Sequence, residues 1–322
     1  MGDSSDDGDL DTVDELFSLL GNDLRMRIMQ VLWEDFEFEY YAAGRLSPIS
    51  FSRIFDRSGV VDSGNFNYHL GKLSGTLVEQ YDDGYHLSPL GYNLMRAIEQ
   101  FGTFEYDTTS ETELEEPCPF CGGSMVGAYE RQLVQVRCRD CGGLAEDGNL
   151  TFVQLPATGV QHHDLETMLD VAILELESRV RASKHGVCWQ CHDATERTFT
   201  ECDDHRLDAT GICVNCNSRF NSDVHVDCSN CGTSGAGPLF EYALVTPEVR
   251  SGLRSVKPEL SAFGPWKFRL AAFEGLSETI RSAEPLTVEY EFRFEDKLAD
   301  EVVRAVVETE DGLDVNVENN LG

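Results

Sequence analysis

The stretch CPFCGGSMVGAYERQLVQVRCRDC (118–141) decides how this chain is read. It opens and closes on a C-x-x-C pair, Cys118/Cys121 and Cys138/Cys141, with 16 residues between the two. That interval accommodates a hairpin with strands at Ser124–Glu130 and Gln132–Arg137. Glycine after each second cysteine permits the positive φ that turns backbone N–H groups toward the thiolates. Four thiolates gathered by a hairpin make a zinc-ribbon pattern, and Zn2+ with four Cys or His ligands is a closed, structural site.

The pattern recurs downstream at Cys188/Cys191, Cys202/His205, Cys213/Cys216 and Cys228/Cys231, each pair again separated by two residues. An odd cysteine count would normally leave a stray thiol. Here the 11 cysteines and His205 make six two-ligand knuckles, enough for three structural Zn2+ sites with nothing left over. Two are all-cysteine and one has three cysteines and a histidine. Redox chemistry does not call for six regular pairs. Sequential pairing is expected for the last two sites: Cys188/Cys191 with Cys202/His205, and Cys213/Cys216 with Cys228/Cys231. The intervals of 10 and 11 residues then read as short hairpins. Interleaved pairing, as in the cross-brace of RING domains, would place the third knuckle two or three residues after the histidine, whereas seven residues (Arg206–Ile212) intervene. His192, His225, His162 and His163 lack spaced partners and read as unligated.

The 322 residues carry 25 Lys and Arg against 58 Asp and Glu, a net charge of −33 spread along the whole chain. With 41% hydrophobic residues in regular periodicity, disorder is the poorer reading. Adaptation to molar salt is the better one, because the Debye length falls there to about 3 Å and dense surface charge costs little. No apolar run spans a bilayer and the N-terminus (MGDSSDDGD) is acidic, so no membrane is expected and the location reads as cytoplasmic, where thiols stay reduced.

The expected architecture is multidomain α+β. Residues 1–10 read as a disordered acidic N-terminus and 11–105 as a winged helix-turn-helix; 106–117 form an acidic linker. The first ribbon occupies 118–160, an amphipathic connecting helix 161–187, two further zinc modules with small β-hairpins 188–235, and a mixed α+β segment 236–322. Within the first domain, Asn22, Ser50, and Asp62 or Ser63 are candidate helix N-caps. The aromatic run Phe36–Tyr41 follows the second helix. Leu77–Tyr81 and Tyr85–Leu87 read as a hairpin with Asp-Gly at its tip (Asp82-Asp83-Gly84), and Ser88-Pro89 opens a last helix carrying Leu90, Leu94, Ile98 and Phe101. Farther on, Leu165, Met168, Leu169, Ala172, Ile173, Leu176 and Val180 share one side of the connecting helix. Thr246-Pro247 starts another helix. Val288, Tyr290, Phe292 and Phe294 alternate as a strand, with further strands at Val302–Val307 and Leu313–Val317.

In the helix DSGNFNYHLGKL, Phe66, Leu70 and Leu73 at i, i+4 and i+7 face a core. Gly64, Tyr68, Gly71 and Lys72 lie opposite, with Asn65 and Asn67 on the flanks. Small residues admit a DNA backbone, Asn matches adenine edges and Lys meets phosphate. His69 falls near the core edge and reads as a packing residue. Ser50, Arg53 and Ser63 complete the candidate contacts. Residues 41–80 hold four bases, Arg45 among them, and three acids, so this segment is spared the acids found elsewhere.

The run SGNFNYHLGKL (63–73) followed by DGYHLSPLG (83–91) resembles haloarchaeal members of the ArsR-type winged-helix regulators, across about residues 15–100. The resemblance implies double-stranded DNA as a partner, with zinc-ribbon segments downstream. It also implies a homodimer built from the first and last helices, here Leu16–Leu20 and Leu90–Phe101. Metal-sensing relatives carry cysteines inside the winged domain; this chain has none before Cys118.

No phosphate-binding loop, His-Glu-x-x-His or Gly-x-Ser-x-Gly occurs, and filled zinc sites have no open position for water, so the chain does not read as an enzyme. The sequence reads as a sequence-specific DNA-binding transcriptional regulator. The rivals are a general transcription factor like the alpha subunit of archaeal transcription factor E, contacting the transcription machinery, and an adaptor that binds only proteins.

Overall fold

Asn22 accepts the backbone N–H groups of Leu24 and Arg25 through Oδ1 (3.1 and 3.2 Å) and opens helix α1 (Asp23–Glu34). Ser50 Oγ accepts the Arg53 N–H at 3.4 Å and opens α2 (Phe51–Ser58), which ends at Gly59 with φ of 67°. Asp62 takes the N–H groups of Gly64 and Asn65 (2.9 and 3.1 Å) and opens α3 (Ser63–Leu73). Each cap satisfies donors that the first helical turn leaves unpaired. Phe66, Leu70 and Leu73 are buried as their spacing requires, in one core with Ile28, Met29, Leu32 and Ile54. The rings of Phe51 and Phe55 meet Phe66 edge-on at 5.1 and 5.2 Å.

Strands β1 (Val78–Tyr81) and β2 (Gly84–Leu87) pair with Tyr81 opposite Gly84, so the turn consists of Asp82 and Asp83 alone. Neither has positive φ. The glycine expected to shape the tip lies in the strand instead, where a Cβ would stand 2.5 Å from the Ile49 carbonyl oxygen. Ile49 and Tyr85 exchange both backbone hydrogen bonds there (2.8 and 2.9 Å), which requires that close approach.

Ser88 Oγ accepts the Gly91 N–H (3.0 Å) and donates to the Thr76 carbonyl (2.7 Å), fixing the start of α4 (Pro89–Phe101). Gly91 presses against the Leu77 carbonyl and Met95 is buried. That contact turns Leu90 and Ile98 outward, and of the three expected apolar positions whose side chains are described, Leu94 alone packs on this core. The Phe101 side chain lies outside the described residues.

This computed structural model describes residues 14, 16–35, 48–101, 111–160, 162–294, 302–310 and 312–319. The expected tail (1–10), the run Phe36–Tyr41, Arg45 and linker residues 106–110 lie outside them. The chain is mixed α+β and divides into two units, Met1–Phe104 and Glu105–Gly322. Among the described residues no helix is long and apolar enough to cross a membrane.

The second unit begins with an antiparallel sheet of β3 (Thr112–Glu113), β4 (Met125–Glu130), β5 (Leu133–Cys138) and β6 (Asn149–Gln154), in that order. Arg131 and Gln132 join β4 to β5 with φ of 52° and 63°, the backbone of a two-residue hairpin turn whose twist suits the flanking strands. After the short α5 (Ala157–Val160), Asp164 caps α6 (Leu165–Lys184) through the Thr167 N–H at 2.9 Å. The predicted apolar side of α6 is buried at Met168, Leu169, Ala172, Ile173 and Val180. Met168, Leu169, Ala172 and Ile173 share a core with Val134, Val136, Leu150 and Val153 of the sheet, while Val180 joins the core of Phe220, Val224 and Val226, so α6 packs into both.

A second sheet follows, β7 (Glu196–Glu201), β8 (Ser222–Asp227) and β9 (Ser234–Pro238), then α7 (Phe240–Leu244), α8 (Pro247–Val256) and α9 (Pro265–Phe273). A meander of β10 (Leu276–Ala283), β11 (Leu286–Phe292), β12 (Val303–Glu308) and β13 (Asp314–Asn319) closes the unit. Val288, Tyr290 and Phe292 point inward from β11 as the alternation requires. They share one core with Phe220, Val224 and Val226 around β8, so 188–235 and 236–322 fold together rather than as separate modules.

Candidate functional site

Three groups of four ligand atoms form, each with all its atoms within 4.8 Å of one another. The first is Cys118, Cys121, Cys138 and Cys141. Its hairpin is β4–β5, and the sulfurs of Cys118 and Cys141 lie 3.7 Å apart, those of Cys121 and Cys138 3.5 Å. A tetrahedron with Zn–S bonds of about 2.3 Å has edges of about 3.8 Å, so the spacing fits zinc. Gly123 and Gly143 donate backbone N–H groups to Cys121 and Cys141 at 3.4 Å each, and Asp140 donates to Cys138 at 3.3 Å. These bonds orient sulfur and favour the thiolate that zinc needs.

The other eight ligands do not pair sequentially. Cys188, Cys191, Cys228 and Cys231 form one group, and Cys202, His205, Cys213 and Cys216 the other. The pairing is nested, because β7 and β8 run antiparallel with Glu196 opposite Asp227 and Glu201 opposite Ser222. One end of that ladder brings Cys191 to Cys228 (3.6 Å between sulfurs); the other carries both inner knuckles in a single excursion. The intervals read as two hairpins are therefore one strand each. Cys188 and Cys231 lie 3.7 Å apart, and Cys216 Sγ lies 3.5 Å from His205 Nδ1. His192, His225, His162 and His163 join none of the groups. His192 adopts φ of 65° directly after Cys191, the conformation that Gly122 and Gly232 supply at their knuckles.

Packing thiols this closely separates their acidities. Burial pushes Cys216 up to about 12, with the Cys213 and Cys202 thiols adding to the effect against the Ser218 N–H. Burial acts the same way on Cys213, but the N–H groups of Asn215, Cys216 and Arg206 bring it down to about 6. Cys188 likewise falls to about 6, where the N–H groups of Cys191 and Gln190 overcome burial. Neighbouring thiolates repel, and a dication at the centre removes that conflict.

The mixed group also touches the first group. Gly142 donates its N–H to the Thr210 carbonyl (3.1 Å), and a Cβ on Gly142 would stand 2.0 Å from Ile212. The sequence gives no cue to this contact, since both glycines after Cys141 read alike. Arg219 bonds the Gly143 carbonyl (2.5 Å), lies 3.8 Å from Cys141 Sγ and stacks over Phe120 at 4.3 Å.

In the first unit, Ser63, Asn65, Asn67, Tyr68, Gly71 and Lys72 are all exposed on α3. Tyr68 is 60% exposed, and Lys72 Nζ stands 5.7 Å from its ring centre. His69 is half-buried, with Nδ1 lacking a hydrogen-bond partner among the described residues. Ser50 is occupied as the cap of α2, and Arg53 is held to Asp35 through Nε at 2.8 Å and Nη2 at 3.1 Å. Five candidate contacts thus share one helix, while Ser50 and Arg53 serve local structure.

Residues 13–98 match a domain of unknown function (DUF7347), and residues 115–310 match another (DUF7351). No curated protein matches the chain, and no solved structure does. As the second match spans more than half of its length, the chain belongs to the DUF7351 family.

Proposed function

We propose that this chain is a sequence-specific DNA-binding transcriptional regulator working in molar salt. A winged helix-turn-helix over residues 11–105 reads duplex DNA, and three structural Zn2+ ions hold the second unit. The carrying observation is the outward side of α3, where Asn65, Asn67, Tyr68, Gly71 and Lys72 stand exposed in a segment spared of acids. A large aromatic on that side lies outside the core, and small residues beside it allow close approach to a groove.

The order α1, α2, α3, hairpin β1–β2 and α4 supports α3 as the reading helix and the hairpin as the wing. Exposed Leu90 and Ile98 give α4 an apolar side suited to a homodimer. The zinc ions act as scaffold: four protein ligands at each leave no position for water or substrate, and the chain is not an enzyme. Counterion release contributes little in molar salt, so base-edge hydrogen bonds and shape fit supply the affinity.

Selection of binding sites from a random duplex library, using the zinc-loaded full chain in molar potassium chloride, tests this reading. Enrichment of one shared, two-fold-related sequence is expected. Recovery of unenriched sequence would overturn it.

A further inference from the structure

Three arginines converge on one surface cavity of a chain that carries 25 bases against 58 acids. The cavity, about 380 Å3, is lined by Arg181 near the end of α6 and by Pro247, Arg250, Ser251, Arg254 and Ser255 of α8. Among the described residues no carboxylate lines it. Arg250 is pre-positioned: Nη1 bonds Glu177 at 2.6 Å and its guanidinium lies over the Phe268 ring at 4.4 Å. Arg254 lies over the same ring at 5.2 Å. Glu177 also holds Arg181 at 3.4 Å, so one carboxylate serves two guanidinium groups. Arg254 has no carboxylate partner among the described residues.

Arg181 and Arg254 lie in the last turns of their helices, where cations complement the helix dipole. That ordinary explanation does not reach Arg250 in mid-helix, nor the meeting of all three. Arg250 and Arg254 are four residues apart on one helix, a destabilising arrangement of like charge. An anion between them relieves it.

We propose that this cavity binds a phosphate group. Three guanidinium forks and one shared carboxylate leave a local charge of about +2, which balances a phosphate dianion. The volume falls at the small end of ligand sites, with room for a phosphate and for a small group esterified to it.

The test is calorimetric titration of the zinc-loaded full chain, without DNA, at constant high chloride and ionic strength. Inorganic phosphate, adenosine monophosphate and a short DNA duplex are the probes. Saturable binding of phosphate or the monophosphate is expected, weakened about tenfold or more by Arg254→Gln and unchanged by Arg131→Gln at the exposed β4–β5 turn. Tighter binding of the monophosphate makes the ligand an esterified phosphate; equal binding makes it the free ion. Absence of saturable binding, or equal affinity in Arg254→Gln, would overturn the proposal. So would Arg254-dependent binding of the duplex alone, which would make the site a nucleic-acid backbone contact.

Discussion

His205 donates its Nε2 proton to the carbonyl oxygen of Arg219 at 3.1 Å, and this fixes Nδ1, 3.5 Å from Cys216 Sγ, as the nitrogen facing the metal group. A carbonyl only accepts, so the tautomer follows from the bond. Arg219 meanwhile reaches Gly143 and Cys141 of the first group. The mixed group and the first group therefore share a support. His205→Ala is expected to lower bound zinc from about three to about two per chain, as read by elemental analysis, with His205→Cys restoring the third. Full retention of zinc in His205→Ala would contradict the assignment.

Nesting has its own test. In Cys228→Ser, the thiols of Cys188, Cys191 and Cys231 are expected to become open to alkylation while Cys202, Cys213 and Cys216 stay protected. Sequential pairing would instead expose Cys213, Cys216 and Cys231, and mass mapping of the labelled cysteines separates the two.

Gly142→Ala places a methyl 2.0 Å from Ile212 Cγ1, where the first and the mixed ligand groups meet. Overpacking of this kind costs about 1–3 kcal/mol, measured as a lowered midpoint of denaturant unfolding. Ile212→Ala in the same chain is expected to recover part of the loss, and no recovery would place the strain elsewhere.

Asp35 contributes acid sensitivity to the first unit. Burial opposes its ionisation, but hydrogen bonds and charge from Arg53 and Arg57 hold its carboxyl below the ordinary value of 3.8. A lowered folded-state value stabilises the fold above the unfolded value, and that stabilisation is lost as pH falls through the folded one. Asp35→Asn is expected to reduce protection of α1 and α2 amides at neutral pH and to flatten their loss of protection below about pH 4. An unchanged acid limb would contradict this.

Glu241 and Arg269 are both buried and bound to each other through paired contacts, one of them at 2.5 Å. Removing one partner strands a charge, so Arg269→Met is expected to cost about 3–5 kcal/mol, while adding Glu241→Leu returns most of it. Additive losses in the double variant would contradict this, showing that the two side chains contribute independently.

Much of this was legible because it is local. Asn22, Ser50 and Ser88 read as caps from their place before apolar periodicity, and of Asp62 and Ser63 it is Asp62 that caps α3. The 3.6-residue rhythm marked α6 and the alternation through Tyr290 marked β11. The twelve residues of the three ligand groups were legible from spacing, since every knuckle repeats C-x-x-C or C-x-x-H. That same uniformity hid the pairing, because identical knuckles carry no label and only the β7–β8 register selects partners. Gly84 misled for a related reason: its function is a contact with Ile49, far away in sequence. The arginine cavity joins residues about 70 positions apart, which no local pattern announces.

Genome-wide DNA occupancy in cells at their native salt, comparing wild type with Tyr68→Ala, Lys72→Glu, bears on the regulator reading itself. Both residues are exposed, so stability should move by no more than about 0.5 kcal/mol. A few sharp peaks over a shared, two-fold-related sequence, lost in the double variant, is the expected result. Broad occupancy that follows promoter activity and ignores the substitutions would contradict it in favour of a polymerase-associated factor, and no enrichment at all would leave a protein-binding adaptor.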